Sequence, residues 1–211
     1  MLGVVIHYVG CNQPNAYVFA KSWKTKTKYG ATHYVIDWNN GNIYRTIREN
    51  EIAFHVGSER GYTDLTKSLI GNHNPNDYFI GIECAIPSIE NSKPSEIQWK
   101  CLVELVADIL KRHNLTIDNL YLHFDITGKI CHKWFVEHKE DWQLFKQDVD
   151  NKLNEEETKM EEIKEYQKEA IAYVKAKNIM KGYDENTFGA NDPITRGDLA
   201  VVIKNIVDKI K

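Results

Sequence analysis

The sequence lacks any apolar run long enough to cross a membrane, and it has no excess of positive charge. A membrane-spanning helix needs about 20 consecutive apolar residues, and the apolar stretches of this chain are far shorter. Its 27 lysines and arginines are outnumbered by 30 aspartates and glutamates, which gives a net charge of −3. Proteins that hold nucleic acid by electrostatic attraction normally carry the opposite balance. We therefore expect neither a membrane nor a nucleic acid among the partners of this protein.

A secretory leader and a disulfide framework are also missing from the sequence. The first residues form a strand-like run rather than a basic segment followed by an apolar one. The four cysteines, Cys11, Cys84, Cys101 and Cys131, do not show the spacing of a secreted disulfide scaffold. We therefore expect synthesis in the cytoplasm of a host cell, without a signal peptide and with the thiols reduced. Cys11, Cys84 and Cys101 are predicted to be buried free thiols.

What the sequence does contain is an apolar share of 42%, which is sufficient for a packed core. Strand-like runs are predicted at residues 2–7, 33–37, 42–47, 79–85 and 120–123. Helical spacing of apolar residues is found at residues 15–29, 95–113 and 136–153, whereas the polar segment 60–77 is predicted to be a loop. Strands that alternate with helices predict an α/β domain with a central mixed β-sheet flanked by helices.

The composition changes at Asn154, which predicts a boundary between domains. Residues 1–153 are predicted to form the catalytic domain, and residues 154–165 an acidic linker that is either extended or helical. Residues 166–211 then contain helical spacing, a turn-rich loop and a second helical segment with Thr195 as its N-cap. We therefore expect a small C-terminal helical unit after the linker.

Two histidines at predicted strand ends, together with one cysteine, form a candidate metal site. The first strand ends in His7 and the last one ends in His123. If these strands are neighbours, both imidazoles lie at one edge of the sheet, and the turn at residues 127–128 brings Cys131 back beside them. Two imidazoles and one thiolate suit Zn²⁺ that keeps a water in its fourth position.

Two charged side chains near this site are candidate catalytic groups. Glu83 interrupts an apolar strand, where a carboxylate is costly unless it has a partner or a task. We interpret Glu83 as a general base that takes a proton from the water on the metal, with a structural salt bridge as the alternative. Lys129 lies between His123 and Cys131 in the sequence. Its ammonium is a candidate stabiliser of developing negative charge, and a solvated surface lysine is the alternative.

The order of these motifs resembles that of zinc-dependent N-acetylmuramoyl-L-alanine amidases of the phage-lysozyme and peptidoglycan-recognition type. The resemblance extends over roughly residues 1–150 and rests on segments 5–7, 31–37, 53–57, 80–84 and 123–131. It implies a Zn²⁺ cofactor and hydrolysis of the amide bond between N-acetylmuramic acid and L-alanine in peptidoglycan. It also supports the glutamate in the strand as the base, because one branch of the family uses a glutamate there.

The same resemblance implies a set of substrate-binding residues. His33 and His55 match histidines of the family's substrate cleft, and plain packing roles are an equal alternative. Thr32 occupies the position of a tyrosine that another branch of the family uses, so that role is absent here. Trp38, beside a predicted hairpin, is a candidate for the rim of the glycan groove. The family's usual proline after the ligand cysteine is replaced by His132, which raises the alternative of a changed ligand set.

The C-terminal unit resembles one S-layer-homology repeat. The matching residues are Ala172, Gly182, Tyr183, Phe188, Asn191 and residues 193–196. The resemblance implies binding to a secondary polymer of the cell wall, and we predict that Tyr183, Asp184 and Arg196 face this anionic polymer. Such repeats usually occur in threes, whereas this chain has one. We therefore expect the unit to dock on the catalytic domain or to self-associate with copies from other chains.

Together these features predict a phage or prophage endolysin that is released to act on the cell wall of a Gram-positive host. One alternative is a catalytically silent peptidoglycan-binding protein, but such relatives typically lose the metal-ligand cysteine, and Cys131 is present. Another alternative is a metal-independent cysteine hydrolase with Cys131 as nucleophile and His123 as base. A chelator distinguishes the zinc enzyme from this cysteine hydrolase.

Overall fold

The computed structural model describes residues 1–25, 31–57, 61–161, 165–183 and 188–210 of the chain. The chain divides into two compact units, 1–153 and 154–211. Among the described helices, none is long and apolar enough to cross a bilayer.

A five-stranded sheet forms the centre of the first unit, in the order β3-β2-β4-β1-β5. The strands are β1 (Gly3–Tyr8), β2 (Tyr34–Ile36), β3 (Ile43–Arg45), β4 (Phe79–Cys84) and β5 (Leu120–Leu122). β1 runs parallel to both β4 and β5, and β2 runs parallel to β4, whereas β3 is antiparallel to β2. The predicted mixed sheet is therefore confirmed.

Helices cover both faces of this sheet. They are α1 (Ala16–Thr25), α2 (Asp64–Ile70), α3 (Glu96–Arg112), α4 (His123–Thr127), α5 (Lys133–Glu137) and α6 (Lys139–Glu161). The apolar sides of α3, α5 and α6 share one core with alternate residues of β1 and β4, including Ile6 and Ile82. Smaller clusters on the opposite face join Val5 to Ile126 of α4, and Val35 to Ala20 of α1. The strand period of two places these two sets on opposite faces.

The predicted loop at 60–77 is wrong in part, because α2 forms within its described residues 61–77, whereas residue 60 lies outside the described ranges. The N-cap Thr63 accepts a hydrogen bond from the backbone N–H of Thr66 at 3.3 Å. Both threonine hydroxyls also donate to carbonyl oxygens of α4, from Thr63 to Asp125 at 2.5 Å and from Thr66 to Ile126 at 2.9 Å. Hydrogen bonds to residues distant in sequence thus stabilise α2, whose own apolar pattern is weak.

The prediction of a buried Cys11 is wrong, because this thiol is exposed. β1 ends at Tyr8, and the chain then turns at Gly10, whose φ is +65°. The alternation of buried and exposed positions therefore stops before Cys11. Cys84 is buried as predicted, and Cys101 is only partly buried.

A polar cluster ties the segment after β3 to the end of α3. The carboxylate of Glu49 accepts two hydrogen bonds from the Arg112 guanidinium, at 2.7 and 2.8 Å, and one from the Tyr34 hydroxyl. Nε2 of His113 lies 2.7 Å from the same carboxylate. The pKa of Glu49 is lowered to about 2, mainly by the hydrogen bonds from Arg112. Paired and largely shielded from water, this carboxylate fixes the path of the chain between β3 and the next segment.

The second unit contains α7 (Glu165–Ala176) and α8 (Arg196–Ile210). As predicted, Thr195 caps the last helix, since its hydroxyl accepts the backbone N–H of Asp198 at 3.1 Å. The side-chain amide of Asn205 donates to the carbonyl of Ile179 at 3.0 Å and joins α8 to the segment after α7. Part of the predicted linker, residues 154–161, continues α6, and residues 162–164 lie outside the described ranges.

Candidate active site

The candidate site lies at the edge of the sheet where the parallel strands end. His7 is near the end of β1 and pairs in register with Glu83 of β4. Ile6 pairs with Leu122, the last residue of β5, so that His123 follows one position beyond. Because the carboxyl ends of parallel strands meet at one edge, the sheet itself brings these three polar side chains together.

His7, His123 and Cys131 form a buried cluster of potential metal ligands. One ligand atom from each lies within 4.8 Å of the others. Sγ of Cys131 is 3.8 Å from Nδ1 of His7, close to the roughly 3.6 Å that a tetrahedral zinc ion would set between a nitrogen and a sulfur ligand. Both ring nitrogens of His123 are buried and have no hydrogen-bond partner. Two imidazoles and one thiol at these distances, with both nitrogens of His123 lacking a partner, fit a zinc ion.

A short helix and a glycine turn explain how Cys131 returns to His123. Asp125 accepts the backbone N–H of Leu122 at 2.8 Å and caps the start of α4. Gly128 then ends the helix in the left-handed conformation, with φ of +76°. The chain reverses there, and the backbone N–H of Phe124 donates to the carbonyl of Cys131 at 3.1 Å.

Burial keeps the three candidate ligands neutral. It lowers the pKa of His7, an effect to which the charges of His55 and His123 add, and it lowers the pKa of His123 to about 4. Burial also raises the pKa of the Cys131 thiol to about 12, with a further contribution from Glu83. Neutral imidazoles are the form that binds a metal, whereas the thiol has to exchange its proton for the ion.

Glu83 and Lys129 lie around this cluster. Burial raises the pKa of Glu83 to about 8, and the nearby Lys129 ammonium opposes this shift. One carboxylate oxygen of Glu83, Oε2, is buried and has no hydrogen-bond partner. Lys129 is itself exposed, and its charge also acts on His7, His123 and Cys131. The arrangement offers Glu83 as a proton acceptor whose charge acts on Cys131, and the Lys129 cation, whose charge acts on all three candidate ligands.

His55 and His33 form a layer behind these groups. Nδ1 of His55 lies 2.9 Å from Nε2 of His7, and Nε2 of His55 lies 3.1 Å from the carbonyl oxygen of Phe79. Nδ1 of His33 accepts the backbone N–H of Gly81 at 3.0 Å, and its Nε2 lies 3.1 Å from the carbonyl of Glu51. His55 therefore hydrogen-bonds to the candidate ligand His7, whereas His33 hydrogen-bonds to the backbone of β4.

Comparison with known proteins identifies the family. Residues 1–149 match the family profile described as N-acetylmuramoyl-L-alanine amidase. The chain belongs to this amidase family. Residues 161–200 match the profile of the S-layer homology domain. Both profile matches agree with the resemblances drawn from the sequence.

Individual relatives agree with this assignment. The amidase CwlL of Bacillus licheniformis is 28% identical over 157 residues, which cover 72% of this chain and 41% of CwlL. A probable amidase of the same organism is 25% identical over 156 residues, which cover 72% of this chain and 42% of the relative. The chain thus spans less than half the length of these curated relatives.

Solved structures share the fold of the amidase domain. The PlyG catalytic domain superposes with a TM-score of 0.57 at 18% sequence identity. The aligned part covers 72% of this chain and 82% of the PlyG domain. A mutant endolysin from Bacillus subtilis gives a TM-score of 0.55 at 20% identity, with coverages of 70% and 84%. At these identities the similarity establishes the fold, which is the predicted sheet flanked by helices.

Three further residues predicted near the amidase site are not members of the ligand cluster. Thr32 is buried, and its hydroxyl donates to the carbonyl of Tyr34 at 2.8 Å. Trp38 is half-buried two residues after β2, and its Nε1 donates to the carbonyl of Lys93 at 3.0 Å. His132 is buried against Phe135, with ring centroids 4.8 Å apart, and is not one of the three clustered ligands. The substrate contacts of Thr32 and Trp38 stay predictions.

Sequence reasoning passed over Gly81, the position that makes room for His55. A Cβ atom at Gly81 would lie 2.6 Å from both Cγ and Nδ1 of the His55 ring. A glycine inside an apolar strand is a signal of close approach by another group, and this signal was present in the sequence. The backbone N–H of the same glycine is held by His33.

One of the residues predicted to bind a wall polymer, Tyr183, lies at a cavity of about 490 Å³ in the second unit. Tyr183 lines this cavity, as do Asp192 and Asp198. The Tyr183 side chain is 75% exposed, and its hydroxyl hydrogen-bonds to Asp192. Arg196 is exposed at the first position of α8, and Asp184 lies outside the described residues. A tyrosine ring at an open cavity offers a stacking surface for a sugar.

Proposed function

We propose that this protein is a zinc-dependent N-acetylmuramoyl-L-alanine amidase that hydrolyses peptidoglycan. The observation that carries the proposal is the convergence of His7, His123 and Cys131 within 4.8 Å of one another. Glu83, which pairs in register with His7, has one buried carboxylate oxygen without a hydrogen-bond partner. Membership of the family and the chemistry of the donor set support zinc as the metal. The three ligands would hold the ion, and Glu83 and Lys129 would act on the substrate.

In this proposal the zinc ion would polarise the scissile carbonyl and lower the pKa of a bound water. Glu83 accepts the proton of the attacking water and delivers it to the alanine nitrogen as the carbon–nitrogen bond breaks. Its raised pKa of about 8 lies near neutral pH, where one group can both accept a proton and give it up again.

Lys129 stabilises the negative charge that develops on the amide oxygen. An exposed ammonium has little effect on a neutral carbonyl but a larger one on an oxyanion in a site that excludes water. The influence of Lys129 on the pKa values of Glu83 and His123 supports this role, because its charge acts on the proposed base and on one of the candidate ligands. The substrate-binding roles of His33, Thr32 and Trp38 belong to the same proposal.

Digestion of purified Gram-positive cell walls tests this function. We expect new amino-terminal L-alanine on the peptides and no new reducing ends on the glycan, both measured by mass spectrometry. A zinc chelator should stop the reaction, and added zinc should restore it. Activity that survives complete metal removal would instead indicate a cysteine hydrolase that uses Cys131 and His123. Retention on the walls without any product would indicate a silent binding protein.

The C-terminal unit is proposed to hold the enzyme on the wall through a secondary polymer, as in an endolysin released from a lysing host cell. Its match to the S-layer homology profile and the open cavity beside Tyr183 support this role. α8 also exposes an apolar stripe at Leu199, Ile203 and Ile206. Burial of this stripe against another copy of the chain would stabilise so small a unit, which supports self-association.

Removal of residues 162–211 should leave hydrolysis of soluble muropeptides unchanged and weaken binding to intact walls. Arg196→Ala should cause part of the same loss because it removes a cation facing an anionic polymer. Lys209→Ala, which removes one positive charge from the last turn of the same helix, is the matched control. Co-sedimentation with walls measures binding, and analytical ultracentrifugation compares the mass of both chains in solution. Equal wall binding by the full and shortened chains would refute the anchoring role.

A further inference from the structure

A series of two hydrogen bonds connects the backbone of β4 to His7, whose other ring nitrogen lies next to Cys131. The carbonyl oxygen of Phe79 lies 3.1 Å from Nε2 of His55, and Nδ1 of His55 lies 2.9 Å from Nε2 of His7. Nδ1 of His7, at the far end, lies 3.8 Å from Sγ of Cys131. The rings of His7 and His55 are nearly perpendicular, at 86°, with centroids 5.0 Å apart.

The donor and the acceptor of each hydrogen bond in this series follow from the bond to the Phe79 carbonyl. A carbonyl oxygen can only accept, so Nε2 of His55 carries a hydrogen and donates to Phe79. A neutral imidazole has one N–H, and therefore Nδ1 of His55 is bare and accepts a hydrogen from Nε2 of His7. By the same rule Nδ1 of His7 is bare, and its lone pair points into the ligand cluster.

Two further contacts fix His55 in this position. The side-chain oxygen of Asn76 accepts the backbone N–H groups of His55 and Val56, at 2.8 and 2.9 Å, and holds this segment against the sheet. On the other side the His55 ring rests on the bare backbone of Gly81, where any Cβ atom would lie 2.6 Å from it. The ring therefore has a defined position before any ligand arrives.

We propose that His55 is a positioning residue, which holds His7 in the one tautomer and orientation that present Nδ1 to zinc. This inference rests on the proposed zinc site. A histidine ligand whose other ring nitrogen is held by a fixed acceptor binds its metal more tightly, and loss of such an acceptor typically weakens metal affinity about 10–100-fold. His55 supplies that acceptor here, where a carboxylate or carbonyl more commonly does so.

Zinc affinity of the full chain, measured by equilibrium competition with a chromophoric chelator, tests this role. His55→Leu removes the acceptor at similar volume and should weaken zinc binding about 10–100-fold. His55→Asn keeps an oxygen acceptor near the position of Nδ1 and should recover most of the affinity. Gly81→Ala keeps every hydrogen-bonding group but displaces the ring, so it should weaken zinc binding as well.

His138→Leu is the control, because this half-buried ring stacks on Trp134 and its Nδ1 lies 3.0 Å from the carbonyl oxygen of Trp134, not from a candidate ligand or from His55. It should lower the thermal midpoint of unfolding but leave zinc affinity near that of the wild type. In NMR spectra of the ¹⁵N-histidine-labelled, zinc-loaded wild type, His7 should carry its hydrogen on Nε2 and bind zinc through Nδ1.

The possible outcomes separate this inference from the function on which it rests. A wild type that binds no zinc would overturn the metal site itself. A wild type that binds zinc, with His55→Leu folded and equal to it in affinity, would overturn the role of His55 alone. The same holds if the NMR spectra place zinc on Nε2 of His7. If His55→Leu does not fold, the comparison of His55→Asn with Gly81→Ala decides the question.

Discussion

Cys131→Ser is expected to abolish zinc binding and wall lysis together. The substitution replaces a thiol, which can become a thiolate ligand, by a hydroxyl that stays neutral and binds zinc poorly. Only His7 and His123 then remain as protein ligands. We expect a loss of zinc affinity larger than the approximately 100-fold that removal of an outer hydrogen-bond partner can cause. Metal analysis of the purified protein and a turbidity assay on cell walls measure the two effects.

Cys11→Ser is the matched control for this experiment. It makes the same chemical change at a thiol that is exposed and outside the ligand cluster. It should therefore keep both zinc and lysis. Equal zinc content in Cys131→Ser and the wild type would show that Cys131 is not a ligand.

Glu83→Gln is expected to keep the fold and the zinc but to slow hydrolysis at least about 100-fold, the usual effect of losing a positioned acid–base group. The amide has almost the shape of the carboxylate, and it leaves the three candidate ligands in place. It cannot accept the proton of the attacking water. Turnover of soluble muropeptides, measured together with zinc content and the thermal midpoint, separates lost chemistry from lost structure.

Glu104→Gln serves as the control, since Glu104 is an exposed glutamate on α3. It should leave turnover unchanged. Near-wild-type turnover in Glu83→Gln would remove Glu83 from the role of base. His33 would then be the next candidate to test.

The elements that position the ligands could be predicted because their signals are local. A short apolar run that ends in histidine indicates a strand with a polar group at its end, and this holds for both His7 and His123. The glycine turn at Gly128 likewise indicates that the chain reverses before Cys131. Ser95 and Gln98 mark the start of α3 by a capping pattern, and the structure shows the side chain of Ser95 accepting the backbone N–H of Gln98.

What could not be predicted depends on contacts between segments that are distant in sequence. The hydrogen bond between His7 and His55 requires the path of the chain after β3, which is fixed in part by Glu49 and Arg112 at a remote helix end. α2 likewise depends on carbonyl groups of α4, supplied by residues about sixty positions later. No pattern within either segment contains this information, since propensity is a weak guide where tertiary contacts decide.

The central place of β1 in the sheet has a consequence for how the protein folds. β1 precedes its two partners in the sequence by long stretches, since Val4 pairs with both Ile80 and Leu120. Neither edge of β1 can therefore pair early in folding. Strand pairings between residues this distant in sequence make folding slow. Until β4 and β5 arrive, the unpaired backbone N–H and C=O groups along both edges of β1 are open to pairing with other chains. A cell that makes this protein quickly would thus benefit from a chaperone that shields the first strand.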